Sequence, residues 1–224
     1  MKNLSLFFCI LFCSILSIQA QGDRFETAMQ GVLVKMETTD GQVAWEEISN
    51  QLERIASAEP DQWLPQYYLG YTSLQLALGA MQEGNSSKVT ELVKRGEAYL
   101  AQARTLTADN SELKCLEGYV YQGYIWIDPM ANGGKYSPLA HQAYATAAAM
   151  DETNPRPAML RGMLVLFTPE FFGGGAEKAL PFLNNAEELF ANEAKAEKGI
   201  APHWGALTNT WMLQKATDDL ESKE

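Results

Sequence analysis

The sequence predicts an all-α fold, an α-α superhelix of about nine helices that its terminal helices are placed to close. Three observations carry that expectation. Strand signals are nearly absent, while apolar residues recur three and four positions apart along most of the chain. Pro60, Ala108 and Glu152 each precede a glycine (Gly70, Gly118, Gly162) by ten residues. Ile55, Ala103 and Ala147, all small or aliphatic, lie fifteen residues upstream of the same glycines. Recurrence in fixed phase marks helix pairs that cannot bury their apolar faces alone and so stack on one another.

Phe25 to Met36 reads as the first helix, ended by Thr38-Thr39-Asp40-Gly41. Val43 to Ala58 follows, with Trp45, Ile48, Leu52 and Ile55 on one face, and Pro60 stops it. Trp63 to Met81 is a long helix rich in Tyr and Leu. Gly84-Asn85-Ser86-Ser87 breaks the pattern, and a serine N-cap opens Val89 to Leu106. The next helix starts at Asp109-Asn110-Ser111, with Glu112 near the positive end of its dipole, and runs to Ile127. A break is expected from Asp128-Pro129 through Asn132-Gly133-Gly134, with helix resuming at Ser137-Pro138 toward Met150. A third pair opens at Asn154-Pro155, and its first helix ends near Thr168-Pro169. Phe171-Phe172-Gly173-Gly174-Gly175 forms the turn before Ala176 to Ala191. Beyond Pro202, a terminal helix spans about Leu207 to Leu220.

Over residues 42–191 the chain resembles the tetratricopeptide repeat family in a divergent, long-looped form. Leu69-Gly70, Gly118 and Gly162 match its first helices, and Ala103, Ala147 and Ala186 match its second helices. Helix ends at Glu59-Pro60, Leu106-Thr107-Ala108 and Met150-Asp151-Glu152 add to the match. Glu117 and Arg161 stand where the pattern takes Leu, and their equivalent positions in neighbouring pairs suggest a facing ion pair. The gaps Gly70–Ala103, Gly118–Ala147 and Gly162–Ala186 are 33, 29 and 24 residues, each longer than the family's. The surplus is assigned to turns carrying Gly84, Gly133-Gly134 and Gly173-Gly174-Gly175, with longer helices as the competing reading.

The resemblance implies a right-handed solenoid whose concave wall is lined by the second, fifth, ninth and twelfth positions of each first helix. In this chain those are Leu64, Tyr67, Tyr71 and Leu74, then Glu112, Cys115, Tyr119 and Gln122, then Arg156, Met159, Met163 and Leu166. Tyr67, Tyr71, Leu74, Glu112, Tyr119, Gln122, Arg156, Met159 and Met163 are the candidate binding residues. The competing reading packs them against the terminal helices in a closed bundle. The Phe171–Gly175 turn, with the later Pro202-His203-Trp204-Gly205, also resembles secreted bacterial repeat proteins, which supplies no activity.

Composition narrows the partners. Among 224 residues, 17 basic and 28 acidic side chains give a net charge of −11, which repels nucleic acid and anionic lipid. Lys2, the apolar run Leu4 to Ile18 and the small-residue end at Ala20 read as a signal peptide over residues 1–20. An exported protein, periplasmic or secreted, is therefore expected, with one domain over 21–224 and no integral membrane segment. Cys9 and Cys13 leave with the signal, so Cys115 has no disulfide partner and reads as a buried small hydrophobe.

No catalytic set, metal site or cofactor is expected. His141 and His203 lie 62 residues apart and neither is linked to Cys115 by a local motif. The triple glycine lacks the Lys and Ser/Thr of a phosphate loop, and Glu177 occupies the positive end of the following helix. The leading expectation is a non-enzymatic protein- or peptide-binding module of the cell envelope using the concave wall. The alternative is a periplasmic protein that encloses a small molecule between repeats. An all-α enzyme has least support.

Overall fold

A computed structural model describes residues 22–37, 42–196 and 199–223 of the chain. The expected signal peptide, its cleavage point and the Thr38–Gly41 turn lie outside the described residues. Among the described residues there are nine α-helices and no strand. Helix α1 covers 22–37, and α2 is Gln42–Ala58, α3 Trp63–Gln82 and α4 Ser86–Leu106. They are followed by α5 Ser111–Ile127, α6 Pro129–Met150, α7 Arg156–Phe167, α8 Ala176–Glu193 and α9 Ala206–Glu221. The chain is thus all-α, as its periodicity predicts. Helices pair as α3 with α4, α5 with α6 and α7 with α8, while α3, α5 and α7 also touch in series. That is the contact pattern of stacked helical hairpins, with the first helices forming an inner layer.

Close backbone approach at the phased glycines sets the stacking. A methyl group on Gly118 would come within 2.4 Å of the Tyr144 ring on α6, and one on Gly162 within 2.5 Å of Leu183 on α8. On Gly70 it would meet Leu116 at 2.8 Å and the Gly96 carbonyl of α4 at 3.4 Å. The small residues Ala103, Ala147 and Ala186 on the second helices are all buried. Each glycine therefore does the same work in each pair, bringing a first helix close to a neighbour.

Two expectations about the repeats are corrected, and one about a helix cap. Helix α6 does not break at Gly133-Gly134 or restart at Ser137-Pro138. Asp128 accepts from the amides of Met130 and Ala131 and starts the helix at Pro129, and Pro138 lies inside it. Tertiary contacts outweigh the weak local propensity. Asn132 donates to the Tyr124 carbonyl at 2.8 Å, and the Tyr136 ring stacks on Tyr124 with centroids 4.7 Å apart. The surplus between repeat positions is accordingly taken up largely by long helices of 20, 21 and 22 residues in α3, α4 and α6. Only the turn before α8 is extended, and there Gly173 and Gly175 take φ of 88° and 100°, which disfavour other residues. The N-cap of α4 is Asn85, which accepts from the Lys88 amide, and not a serine.

The second correction concerns the departures from the repeat pattern. Glu117 does not face Arg161. It accepts from Arg104 and Lys114, while the Arg161 guanidinium sits over the Phe182 ring. Partners on neighbouring surfaces of α4 and α5 are simply nearer than the equivalent position of the next pair.

These contacts give opposite outcomes for the same substitution. Gly118→Ala presses a methyl into the ring of Tyr144, whose hydroxyl is anchored on Gln122. Overpacking of about 1–3 kcal/mol then exceeds the helix-propensity gain of about 1 kcal/mol, and stability falls. Gly133→Ala meets nothing within 4 Å and should stabilise the protein by about 0.5–1 kcal/mol. Urea unfolding of both variants checks the pair of signs.

Candidate functional site

Inner-layer side chains converge on a covering strap formed by residues 199–205, between α8 and α9. The strap ends in two glycines with positive φ, Gly199 at 53° and Gly205 at 113°. Between them Trp204 lies against the wall of first helices. Its indole stacks on the Tyr71 ring of α3 with centroids 4.1 Å apart and planes 26° from parallel. Its Nε1–H donates to the Tyr67 hydroxyl at 2.9 Å, and that hydroxyl donates to Glu112 Oε2 at 2.5 Å.

Below the strap lies a buried ionic network. The Arg156 side chain, 4% exposed, donates to Glu112 on α5 and to Glu193 on α8, both at 2.8 Å. A third contact reaches the Trp204 carbonyl at 3.5 Å. Asn154 also donates to Glu112 at 2.6 Å and to Ser111 at 3.0 Å, and Ser111 donates to the Ala147 carbonyl. Burial alone would favour the neutral Arg156, but Glu112, Tyr67 and Glu193 together more than offset this and hold it protonated. Burial, followed by the Glu112 charge, pushes the Tyr67 phenol well up, so it stays a donor. Burial likewise keeps Cys115 a thiol, unsuited to nucleophilic work.

The nine candidate wall residues are almost all core. Tyr67, Glu112, Arg156 and Met159 lie under the strap, where a methyl on Gly205 would come within 2.9 Å of Met159 Sδ. Gln122 accepts from Tyr144, Tyr119 accepts from Gln75, and Leu74 and Met163 are buried apolar packing. Tyr71 is the one candidate among them that also borders open space.

That space is a cavity of about 560 Å³ between α1, α2, α3 and the strap. Trp45, Tyr68, Tyr71 and Trp204 supply its aromatic surfaces, Leu33, Met36 and Leu207 its aliphatic ones, and Gln75, Glu37 and His203 its polar groups. Trp45 meets Tyr71 edge-on at 5.9 Å, so three rings form a continuous wall. Among the described residues the lining contains no lysine or arginine. His203 and Glu37 join the strap to α1 across the cavity, with Nε2 and Oε1 3.4 Å apart. Sequence reasoning missed most of this lining. Trp45 reads only as a helix-face residue, and Pro202-His203-Trp204-Gly205 stands out without a site to belong to.

With this geometry in place, one solved structure is similar over nearly the whole chain. It is the HusA haemophore from Porphyromonas gingivalis. The TM-score is 0.71 and the identity 25%, over 88% of this chain and 92% of that one. No protein-family model matches the chain, and no curated protein matches it either. The similar structure supports a helical-repeat fold, and that protein is a haemophore. Among the described residues no group of three His, Cys, Asp or Glu side chains is placed to hold a metal ion. None of the described helices is long and apolar enough to cross a membrane.

The ionic network under the strap separates from surface pairs by energy. Arg156→Ala leaves Glu112 buried without its cation and should cost about 3–5 kcal/mol. Arg104→Ala removes a half-exposed partner of Glu117 and Asp109 and should cost about 1 kcal/mol or less. Denaturant midpoints with unchanged slopes measure both, and equal losses would contradict the assignment.

Proposed function

We propose that this chain is a non-enzymatic carrier of a flat, largely apolar small molecule of the haem type, held in the cavity between α1, α2, α3 and the strap. The observation that carries this reading is the wall of Trp45, Tyr71 and Trp204, whose rings offer faces and edges to a planar ligand. A volume of about 560 Å³ is within the usual range for ligand sites. The likeness to a haemophore supports the same ligand class. With no lysine or arginine among the described lining residues, carboxylates on the ligand would stay at the solvent-facing mouth while the ring system enters. Tyr71 is the concave-wall candidate assigned to contact it. Residues 1–20 are proposed to direct export and to be removed, which suits a carrier working outside the cytoplasm.

A protein partner is the second reading. The concave groove first expected for it is filled by Trp204, but aromatic groups elsewhere remain uncovered. Phe167 and Trp211 stack at 6.3 Å with both rings exposed, and Phe171 is 91% exposed. Exposed aromatic patches often mark contact surfaces.

Titration of the folded protein with ferric haem, followed by tryptophan fluorescence and Soret absorbance, tests the main reading. Saturable binding at one site is expected. Trp45→Ala should weaken it about two- to tenfold, equivalent to about 0.5–1.5 kcal/mol of lost ring contact. Absence of binding, or a Trp45→Ala variant with unaltered affinity, would reject the cavity as the site.

A further inference from the structure

We propose that His203 Nε2 is the protein's ligand to the metal of a metalloporphyrin bound in the cavity. This rests on the reading of the cavity as a porphyrin site and adds a donor atom to it. Metal-binding imidazoles almost always place their other ring N–H on a carbonyl or carboxylate, which fixes tautomer and ring plane. His203 has that arrangement, with Nδ1 2.7 Å from the Ala201 carbonyl oxygen. A carbonyl only accepts, so Nδ1 carries a proton, and Nε2 offers a lone pair to a metal once it gives up the proton it shares with Glu37. Nε2 lies at the cavity edge beside Glu37 Oε1, and both residues line the space. The His203 side chain is only 10% exposed, whereas that of Glu37 is 47% exposed and has solvent to move into.

The other donors in the lining fit less well. Met36 offers a soft thioether, and the ring of Tyr71 is already engaged face-on by Trp204. Ferric iron in a porphyrin accepts an imidazole nitrogen readily. The macrocycle supplies the equatorial ligands itself, so one protein nitrogen completes a site and no cluster of several donors is required. Stacking on Trp45 and Trp204 would hold a porphyrin with or without metal. A single Nε2 on the strap distinguishes the two.

Ferric haem and metal-free protoporphyrin are titrated separately into wild type, His203→Ala and His141→Ala, with Soret absorbance and electron paramagnetic resonance as readouts. His203→Ala should lose about tenfold or more in haem affinity, since even removing the outer partner of a metal-bound imidazole costs that much. Its spectrum should depart from that of an imidazole-ligated haem and return on adding free imidazole. Its affinity for metal-free porphyrin should be unchanged, and His141→Ala should match wild type throughout. If His203→Ala fails to fold, His203→Gln, which keeps an N–H for the Ala201 carbonyl, gives the same comparison. A variant with wild-type haem spectrum and affinity would overturn the assignment, as would an equal loss for both porphyrins. Binding of metal-free porphyrin and haem alike by wild type, with no imidazole signature, would overturn it while leaving the cavity reading intact. A wild type that binds neither would remove both.

Discussion

A guanidinium buried to the extent of Arg156 is tolerated only where anions converge on it, and that requirement organises the inner layer. Glu112 comes from the start of α5, Glu193 from the end of α8, and Arg156 itself opens α7. Satisfying one cation therefore fixes how the second and third hairpins meet. The same group reaches the Trp204 carbonyl, and Glu112 also holds the Tyr67 hydroxyl that accepts from the Trp204 indole. The strap is thus seated by polar contacts at the Trp204 carbonyl and at its indole N–H, and the cavity inherits one wall from that seating. Loss of the ion pair would be felt first as instability and then as a misplaced wall.

Stacked helical hairpins ordinarily leave their inner surface open to a partner. In this chain the partner is internal. Trp204 occupies the aromatic slot that Tyr67 and Tyr71 create, and the first helices become core instead of groove. Closure is uneven, however. Toward α7 and α8 the strap is packed down, with Met159 and Phe190 close to Gly205. Toward α1, His203 and Glu37 bridge it. Space survives where packing gives way to this polar bridge, and the cavity lies there.

The hairpins were legible because their signals are local. A glycine ten residues past a helix end, a Pro60 stop and alternating apolar spacing each describe a few turns of chain. The centre of α6 was not, since Gly133, Gly134 and Pro138 all argue for a break that Asn132 and Tyr136 overrule through Tyr124 on another helix. The site was still less accessible. Tyr67 and Trp204 are 137 residues apart in sequence, and no periodicity connects them. The repeat pattern did find the wall, but it could not tell that the chain's own tryptophan would cover it. Glu112 and Arg156 appeared as an edge of opposite charge and emerge as the deepest ionic contact in the molecule.

The chemistry of the lining assigns affinity and selectivity to different groups. Ring stacking scales with contact area and is nearly indifferent to what a planar ligand carries at its centre. The described lining residues include no lysine or arginine to recognise a carboxylate. What remains is the imidazole, carried on a strap bounded by two glycines with positive φ. The wall and the donor are then set by separate constraints on one short segment, so retention of a planar ligand and discrimination of its metal can vary independently.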